Sequence, residues 1–198
     1  MSVTTPKGFT AAGVTAGIKA SGRPDLALVV NNGPDAHAAA VFTSNTFKAA
    51  PVLWSRDAVA DGRLAAVVLN SGGANACTGR DGLADARQMA EWTAQALGTD
   101  VGDVAVCSTG LIGVRLPMQK VLQGIELATQ DLSDESGPAA AEAIMTTDTV
   151  PKEADFHSPH HWSIGGMAKG AGMLAPALAT MLVVITTDAV VSPEQLDS

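Results

Sequence analysis

The chain has 198 residues, of which 46% are hydrophobic and 16% charged, and its formal net charge is −8. This length fits one domain with a sizeable core, and the apolar content excludes disorder as the main state. Because 20 acidic residues outnumber 12 basic ones and no Lys/Arg cluster occurs, nucleic acid is a poor candidate partner.

The pattern of apolar and turn-forming residues predicts strands interleaved with helices. In chain order these are strands Ala27–Asn31, Ala38–Phe42 and Ala65–Asn70, helix Ala84–Leu97, strand Val104–Cys107, helices Pro117–Ala128 and Pro138–Met145, and strand Leu182–Thr186. The acidic stretch Asp131–Glu135, between helices Pro117–Ala128 and Pro138–Met145, is predicted to be a loop. Ser192-Pro193-Glu194 is typical of the start of a further helix. The fold class is therefore α/β or α+β, without an internal repeat.

The termini and cysteines carry no targeting or metal signal. Residues Met1–Lys7 lack a basic region followed by an apolar one, and the apolar run Met173–Ile185 is too short for a membrane span, so we expect a cytoplasmic protein. Cys77 and Cys107 lack CxxC spacing, which indicates two small buried residues rather than a zinc site or a disulfide.

Four segments depart from ordinary core and surface patterning. They are Asn70–Gly79, Ser108–Gly113, Ala143–Thr149 and Gly165–Met173. The first is either an anion-binding loop or, as its composition favours, a tight turn whose Asn side chains bond to the backbone. In the second, consecutive backbone amides at Thr109 and Gly110 could hold an oxyanion, although the spacing alone favours an ordinary strand-to-loop turn.

The third and fourth segments contain polar residues in apolar surroundings. Thr146, Thr147 and Thr149 surround Asp148 and could orient a polar substrate or satisfy a helix end. Lys169 is the only charged residue between Gly165 and Asp188. It is either a snorkelling surface lysine or a buried one that binds an anion.

Thr180 is an ordinary threonine by local composition. A peptide break between Ala179 and Thr180 would change its chemistry, because the new α-amine, with a reference pKa of about 7.7–8.0, could serve as a base for the hydroxyl.

Taken together and in this order, these segments resemble the ornithine acetyltransferase family of arginine biosynthesis, whose members cleave themselves before a threonine. The resembling stretches are Gly8–Gly13, Gly17–Lys19, Ala40–Thr43, Asn70–Gly79, Ser108–Gly113, Thr146–Pro151, Met167–Met173 and Ala179–Leu182. They cover nearly the whole chain.

The resemblance implies a role for individual residues. It makes Thr180 the nucleophile and Ala179–Thr180 the cleavage site, and Thr109 and Gly110 the oxyanion hole. Thr146 and Lys169, with Thr180, would bind the amino-acid substrate.

The implied activity is a glutamate N-acetyltransferase that moves the acetyl group from N2-acetylornithine to glutamate, with acetyl-CoA as a further donor in some members. This chemistry implies no metal, prosthetic group or other cofactor. The implied fold is the family's α/β sandwich, and the implied assembly is a heterotetramer of two α and two β chains.

Family members are about twice this length. Residues 1–179 would form the α-chain portion and residues 180–198 the start of a truncated β-chain portion, so the fold would be incomplete at the C-terminus. We therefore expect the isolated chain to be inactive in acetyl transfer. Two other functions remain open from the residues alone: an N-terminal-nucleophile amidase or aminopeptidase, and a non-catalytic amino-acid-binding module.

Overall fold

The computed structural model describes residues 2–171 and 180–196. Within these ranges the chain forms seven β-strands and five α-helices. The strands are β1 Phe9–Val14, β2 Leu26–Asn31, β3 Ala66–Gly73, β4 Val104–Leu111, β5 Lys152–His157, β6 Ser163–Lys169 and β7 Leu182–Thr187. The helices are α1 Ala50–Ala58, α2 Gly79–Leu97, α3 Met118–Gln130, α4 Gly137–Ala143 and α5 Pro193–Leu196.

The first sheet has the order β1-β2-β3-β4. Its first two pairings are antiparallel, whereas β3 and β4 run parallel. The continuous apolar run of β2 is typical of a strand that is buried on both faces. Accordingly, Leu26 and Leu28 pack into one core cluster and Ala27 and Val29 into another, on the opposite face.

Three helices, α1, α2 and α3, contribute to the core on one face of this sheet. The predicted apolar face of α2 is confirmed, since Ala86, Met89, Ala90, Thr93 and Ala94 are all buried. Helix α1 covers the edge strand β4, where the Ser55 hydroxyl both donates to the Val106 carbonyl oxygen and accepts from its N–H. The strand that carries Thr109 is thereby protected along its open edge.

The second sheet is antiparallel, with the order β5-β6-β7. Helix α4 contacts both sheets and joins β1, β2, β3 and β6 in the second core cluster. Its alanines permit a close approach to the backbone of β1. A Cβ placed on Gly13 would lie only 2.0 Å from the Ala139 carbonyl oxygen.

Most predicted elements are confirmed, including the mixed α/β class, the three predicted helices and the loop Asp131–Glu135. The strand predicted at Ala38–Phe42 is wrong, because the backbone there forms no ladder and Val41 is fully exposed. The pattern did not predict β1, β5, β6 or α1. No helix in the described part of the chain is both long and apolar enough to cross a membrane.

The cysteine prediction is half wrong. Cys77 is exposed, in a left-handed backbone conformation with φ 57°. Cys107 lies on β4 beside the second core cluster, where burial raises the pKa of its thiol to about 12. Neither cysteine forms a disulfide.

The contact between Gly13 and α4 predicts a specific loss of stability. Gly13→Ala should lower the free energy of unfolding by about 1–3 kcal/mol or more, because the added methyl group collides with backbone that cannot move independently. Chemical denaturation measures this. The control is Gly102→Ala, where the nearest heavy atom to the new Cβ is 3.5 Å away. Equal effects of the two substitutions would contradict this account of the packing.

Candidate active site

The site begins where the parallel strands β3 and β4 end, since parallel strands bring their carboxyl ends to the same edge. Gly72 pairs with Gly110 there, and the register shifts at Gly73. Gly110 has φ +131°, and a Cβ on it would lie 2.5 Å from the Gly72 carbonyl carbon. Both the conformation and the space therefore require glycine beside Thr109.

Lys169 is the centre of the site. It ends β6, and only 4% of its surface is exposed. Its Nζ donates to Thr146 Oγ1 at 2.6 Å, to Thr109 Oγ1 at 3.1 Å and to the Thr180 carbonyl oxygen at 3.4 Å. An ammonium has three N–H donors, so these three acceptors satisfy it. Lys169 is thus a buried lysine and not a snorkelling one.

Asp148 supplies the negative charge. Its side chain is 1% exposed, and Oδ2 lies 4.0 Å from Lys169 Nζ. Oδ1 accepts from Lys152 Nζ at 2.5 Å and from the Gly170 N–H at 2.8 Å, and Oδ2 accepts from the Thr146 N–H at 3.2 Å. Asp148 therefore links the residue after β6 to the segment between α4 and β5.

The pKa values of Asp148 and Lys169 are both lowered, which favours the charged form of Asp148 and disfavours that of Lys169. Burial raises the pKa of Asp148, but the hydrogen bonds from Lys152, Gly170 and Thr146 outweigh this effect and lower it to about 2. Burial lowers the pKa of Lys169; Lys152 also lowers it, and Asp148 opposes both. The hydroxyls that accept from Lys169 can rotate, so an incoming carboxylate could replace one of them at the ammonium.

The Asn70–Gly79 segment is a scaffold for this edge of the sheet. Asn70 Nδ2 donates to the Gly73 carbonyl oxygen, and Asn70 Oδ1 accepts from the Ser108 hydroxyl at 2.6 Å. Asn75 Nδ2 donates to the Gly82 carbonyl oxygen at the start of α2. The structure thus supports the tight-turn interpretation, because both Asn side chains are buried and bonded to backbone.

The structure brings together five of the residues singled out in the sequence. Thr109, Thr146 and Thr180 all contact Lys169, and Gly110 follows Thr109 directly. Ala179 lies outside the described residues. The Asp148–Lys152 ion pair was not predicted from the sequence, although a spacing of four residues between opposite charges is a visible signal.

Other surface features lie apart from this cluster. Two cavities of about 440 and 410 Å³ are lined by other residues, among them Trp162 and Leu196 in the first and Phe47 and Cys77 in the second. In residues 2–171 and 180–196, no group of three or more His, Cys, Asp or Glu residues could hold a metal ion.

The fold and the site define a mixed α/β protein with a buried lysine joined to threonines from three separate segments. The chain belongs to the ArgJ family, whose sequence pattern matches residues 10–198.

Curated relatives carry the name arginine biosynthesis bifunctional protein ArgJ. The protein from Streptomyces coelicolor is 64% identical over all of this chain, and that from Thermobifida fusca is 62% identical over 98% of it. These matches cover 51% of each relative. The chain therefore spans about half the length of the curated relatives it matches.

Two solved structures have the same fold. One is ornithine acetyltransferase from Mycobacterium tuberculosis, complexed with ornithine, with a TM-score of 0.87 and 56% identity over 91% of this chain and 96% of that one. The other is the bifunctional protein ArgJ from Bacillus halodurans, with a TM-score of 0.80 and 39% identity over 92% of this chain and 95% of that one. The expected ornithine acetyltransferase fold is confirmed.

The contacts of Asp148 predict a pH-dependent stability. The native pKa lies near 2 against 3.8 for the free group, so the stabilisation is present above about pH 4 and is lost as the pH falls through 2. Asp148→Asn should lower the free energy of unfolding by about 2 kcal/mol at pH 6, and the difference from the wild type should vanish near pH 2.

Denaturant unfolding at several pH values measures this difference. The control is Asp134→Asn, in an exposed loop position, which should differ little from the wild type at pH 6. A difference for Asp148→Asn that stays constant down to pH 2 would contradict the assigned hydrogen bonds.

Proposed function

We propose that the mature protein containing this chain transfers an acetyl group from N2-acetylornithine to glutamate through an acetyl-threonine intermediate. The observation that supports this proposal most directly is that Thr109, Thr146 and Thr180 all contact buried Lys169 in a member of the ArgJ family. A structural neighbour is named as an ornithine acetyltransferase complexed with ornithine, which supports the same substrate class for this chain.

In the first half-reaction, Thr180 Oγ attacks the acetyl carbonyl carbon of N2-acetylornithine. The α-amine of Thr180, free after cleavage, takes the hydroxyl proton and passes it to the leaving nitrogen. The amide C–N bond breaks, ornithine departs, and an ester joins the acetyl group to Thr180. Thr109 and Gly110 stabilise the oxyanion that forms on the carbonyl oxygen.

In the second half-reaction, the amine of glutamate attacks the ester carbon and the C–O bond to Thr180 breaks. The proton lost by the amine returns to the Thr180 oxygen, and N-acetylglutamate departs. Both substrates carry a carboxylate next to the reacting nitrogen, and Lys169 with Thr146 binds this common group.

Division of the polypeptide before Thr180 is part of the proposal. This chain matches 50% of the curated Mycobacterium tuberculosis protein but 96% of the chain in the solved structure from that organism. A solved chain of about half the curated length is the pattern that cleavage near the middle would produce.

The two products of such a cleavage would stay together. β7 pairs with β6 over six residues, and Thr186 Oγ1 donates to the Val3 carbonyl oxygen at 2.6 Å. An α chain of residues 1–179 and a β chain beginning at Thr180 would therefore share one sheet. The proposed assembly is a heterotetramer of two α and two β chains. We also propose a cytoplasmic location and acetyl-CoA as a second acetyl donor to glutamate.

The direct test supplies N2-acetylornithine and glutamate to protein expressed from its complete reading frame. N-acetylglutamate and ornithine should appear in equal amounts, as measured by mass spectrometry. Acetate release without N-acetylglutamate would instead indicate an amidase, and substrate binding without turnover would indicate a binding module.

The proposed cleavage predicts the masses of the mature chains. Mass spectrometry should find an α chain ending at Ala179 and a second chain with N-terminal Thr180. Thr180→Ala should remain uncut because it lacks the hydroxyl, whereas Thr180→Ser should still cleave. Thr147→Ala, at an exposed threonine near the cluster, is the control and should cleave normally. An uncut wild-type protein with full activity would refute the mechanism.

The role of Lys169 predicts a loss in both half-reactions. Lys169→Met keeps most of the side-chain volume but removes a charge-assisted hydrogen bond worth about 1.5–3 kcal/mol. The kcat/KM values for N2-acetylornithine and for glutamate should both fall roughly 10- to 150-fold. Lys7→Met, at an exposed lysine, is the control. Unchanged kinetics in the folded Lys169→Met variant would reject the role.

A further inference from the structure

The segment Ala16–Lys19 forms a wall beside the oxyanion-hole candidates. Asp25, fully buried, accepts from the N–H groups of Ala16 at 2.7 Å, Ile18 at 2.6 Å and Lys19 at 2.8 Å. Three hydrogen bonds to one carboxylate hold the segment in a fixed conformation. The Asp25 carbonyl oxygen also accepts from the Ser71 N–H, next to Gly72.

Lys19 lies against the same strand ends as Thr109 and Gly110. A Cβ on Gly72 would lie 3.3 Å from Lys19 Cγ, and Gly72 is the residue that pairs with Gly110. The glycine at position 72 thus makes room for the stem of this lysine.

The ammonium of Lys19 is half-buried and incompletely paired. Its Nζ donates to the Pro24 carbonyl oxygen at 2.7 Å, and it forms no ion pair with the carboxylates that the structure describes. Asp25 is occupied by backbone N–H groups, and Glu142 lies 3.9 Å from Arg23. Burial lowers the pKa of Lys19, and the charges of Arg23 and Lys169 lower it further, against Asp25 and Glu142.

The side chains of Lys19 and Lys169 therefore border the same strand ends, Lys19 at Gly72 and Lys169 at Thr109. Different roles for the two lysines follow from the substrates. N2-acetylornithine and glutamate share the carboxylate next to the reacting nitrogen, for which Lys169 is placed. They differ at the other end, which is an ammonium in ornithine and a second carboxylate in glutamate. A carboxylate beside Lys19 would be favoured by its charge, and an ammonium there would be repelled.

We propose that Lys19 binds the side-chain carboxylate of the acceptor glutamate and so selects a dicarboxylic amino acid for the second half-reaction. The inference rests on the proposed acetyl transfer, but it concerns a residue that the proposed mechanism does not use.

The test compares Lys19→Met with Lys120→Met in protein expressed from its complete reading frame. Lys120 is a matched control because its Nζ donates to the Gly17 carbonyl oxygen at 2.8 Å, on the same wall, while it is exposed. Calorimetry measures the Kd of N-acetylglutamate and of N2-acetylornithine, and acetyl-enzyme kinetics measure the KM for glutamate.

Lys19→Met should raise the Kd of N-acetylglutamate and the KM of glutamate roughly 10- to 150-fold, the factor for one charge-assisted hydrogen bond. The Kd of N2-acetylornithine and the rate of acetyl-enzyme formation should stay unchanged or improve. Lys120→Met should leave all four quantities unchanged.

Equal losses with both ligands would overturn the proposal, because they would indicate a structural role or binding of the shared carboxylate. Unchanged binding of N-acetylglutamate, or a wild-type protein that binds neither ligand, would also overturn it. The two proposals can also be separated. If the wild type forms no acetyl-enzyme, and Lys19→Met weakens the binding of N-acetylglutamate but not of N2-acetylornithine, the proposed transfer is refuted and the assignment of Lys19 stands.

Discussion

The burial of the Lys169 ammonium constrains the rest of the site. A charge removed from water is destabilising unless hydrogen bonds and an opposite charge compensate for it. Here the compensation comes from Thr109, Thr146 and Thr180, with Asp148 at 4.0 Å. These partners lie on different elements, so the ends of β4 and β6, the start of β7 and the segment after α4 must meet at one point.

Two packing features make that convergence possible. The parallel pairing of β3 with β4 places Gly72 and Gly110 at the same edge, where the lack of side chains lets the backbones approach closely. Helix α4 then packs on β1 through Gly13 and delivers Thr146 and Asp148 to that edge. Asp148 holds these segments together, because its carboxylate accepts hydrogen bonds both from Thr146 after α4 and from Gly170 after β6.

Local sequence predicts the parts of this fold that have a strong apolar period. The prediction of helix α2 is correct because its apolar residues recur on one helical face. The prediction of β2 is correct because its apolar residues form a continuous run. Strands β1 and β6 are missed because Gly and Ala weaken the signal, and their formation depends on tertiary pairing. The segment Ala38–Phe42 alternates like a strand but has no ladder in the described structure.

The site shows the same division between local and long-range information. The residue types around Thr109, Thr146 and Lys169 left structural and functional interpretations open, and only the ordered resemblance to a family linked them to Thr180. The placement of Lys152 and Lys169 beside buried Asp148, and of the Lys19 side chain against Gly72, arises from the fold alone. In a chain with a net charge of −8, this excess of ammonium groups is a local exception. It makes the site suited to anionic ligands, and under the two proposed roles Lys19 and Lys169 would distinguish one carboxylate from two.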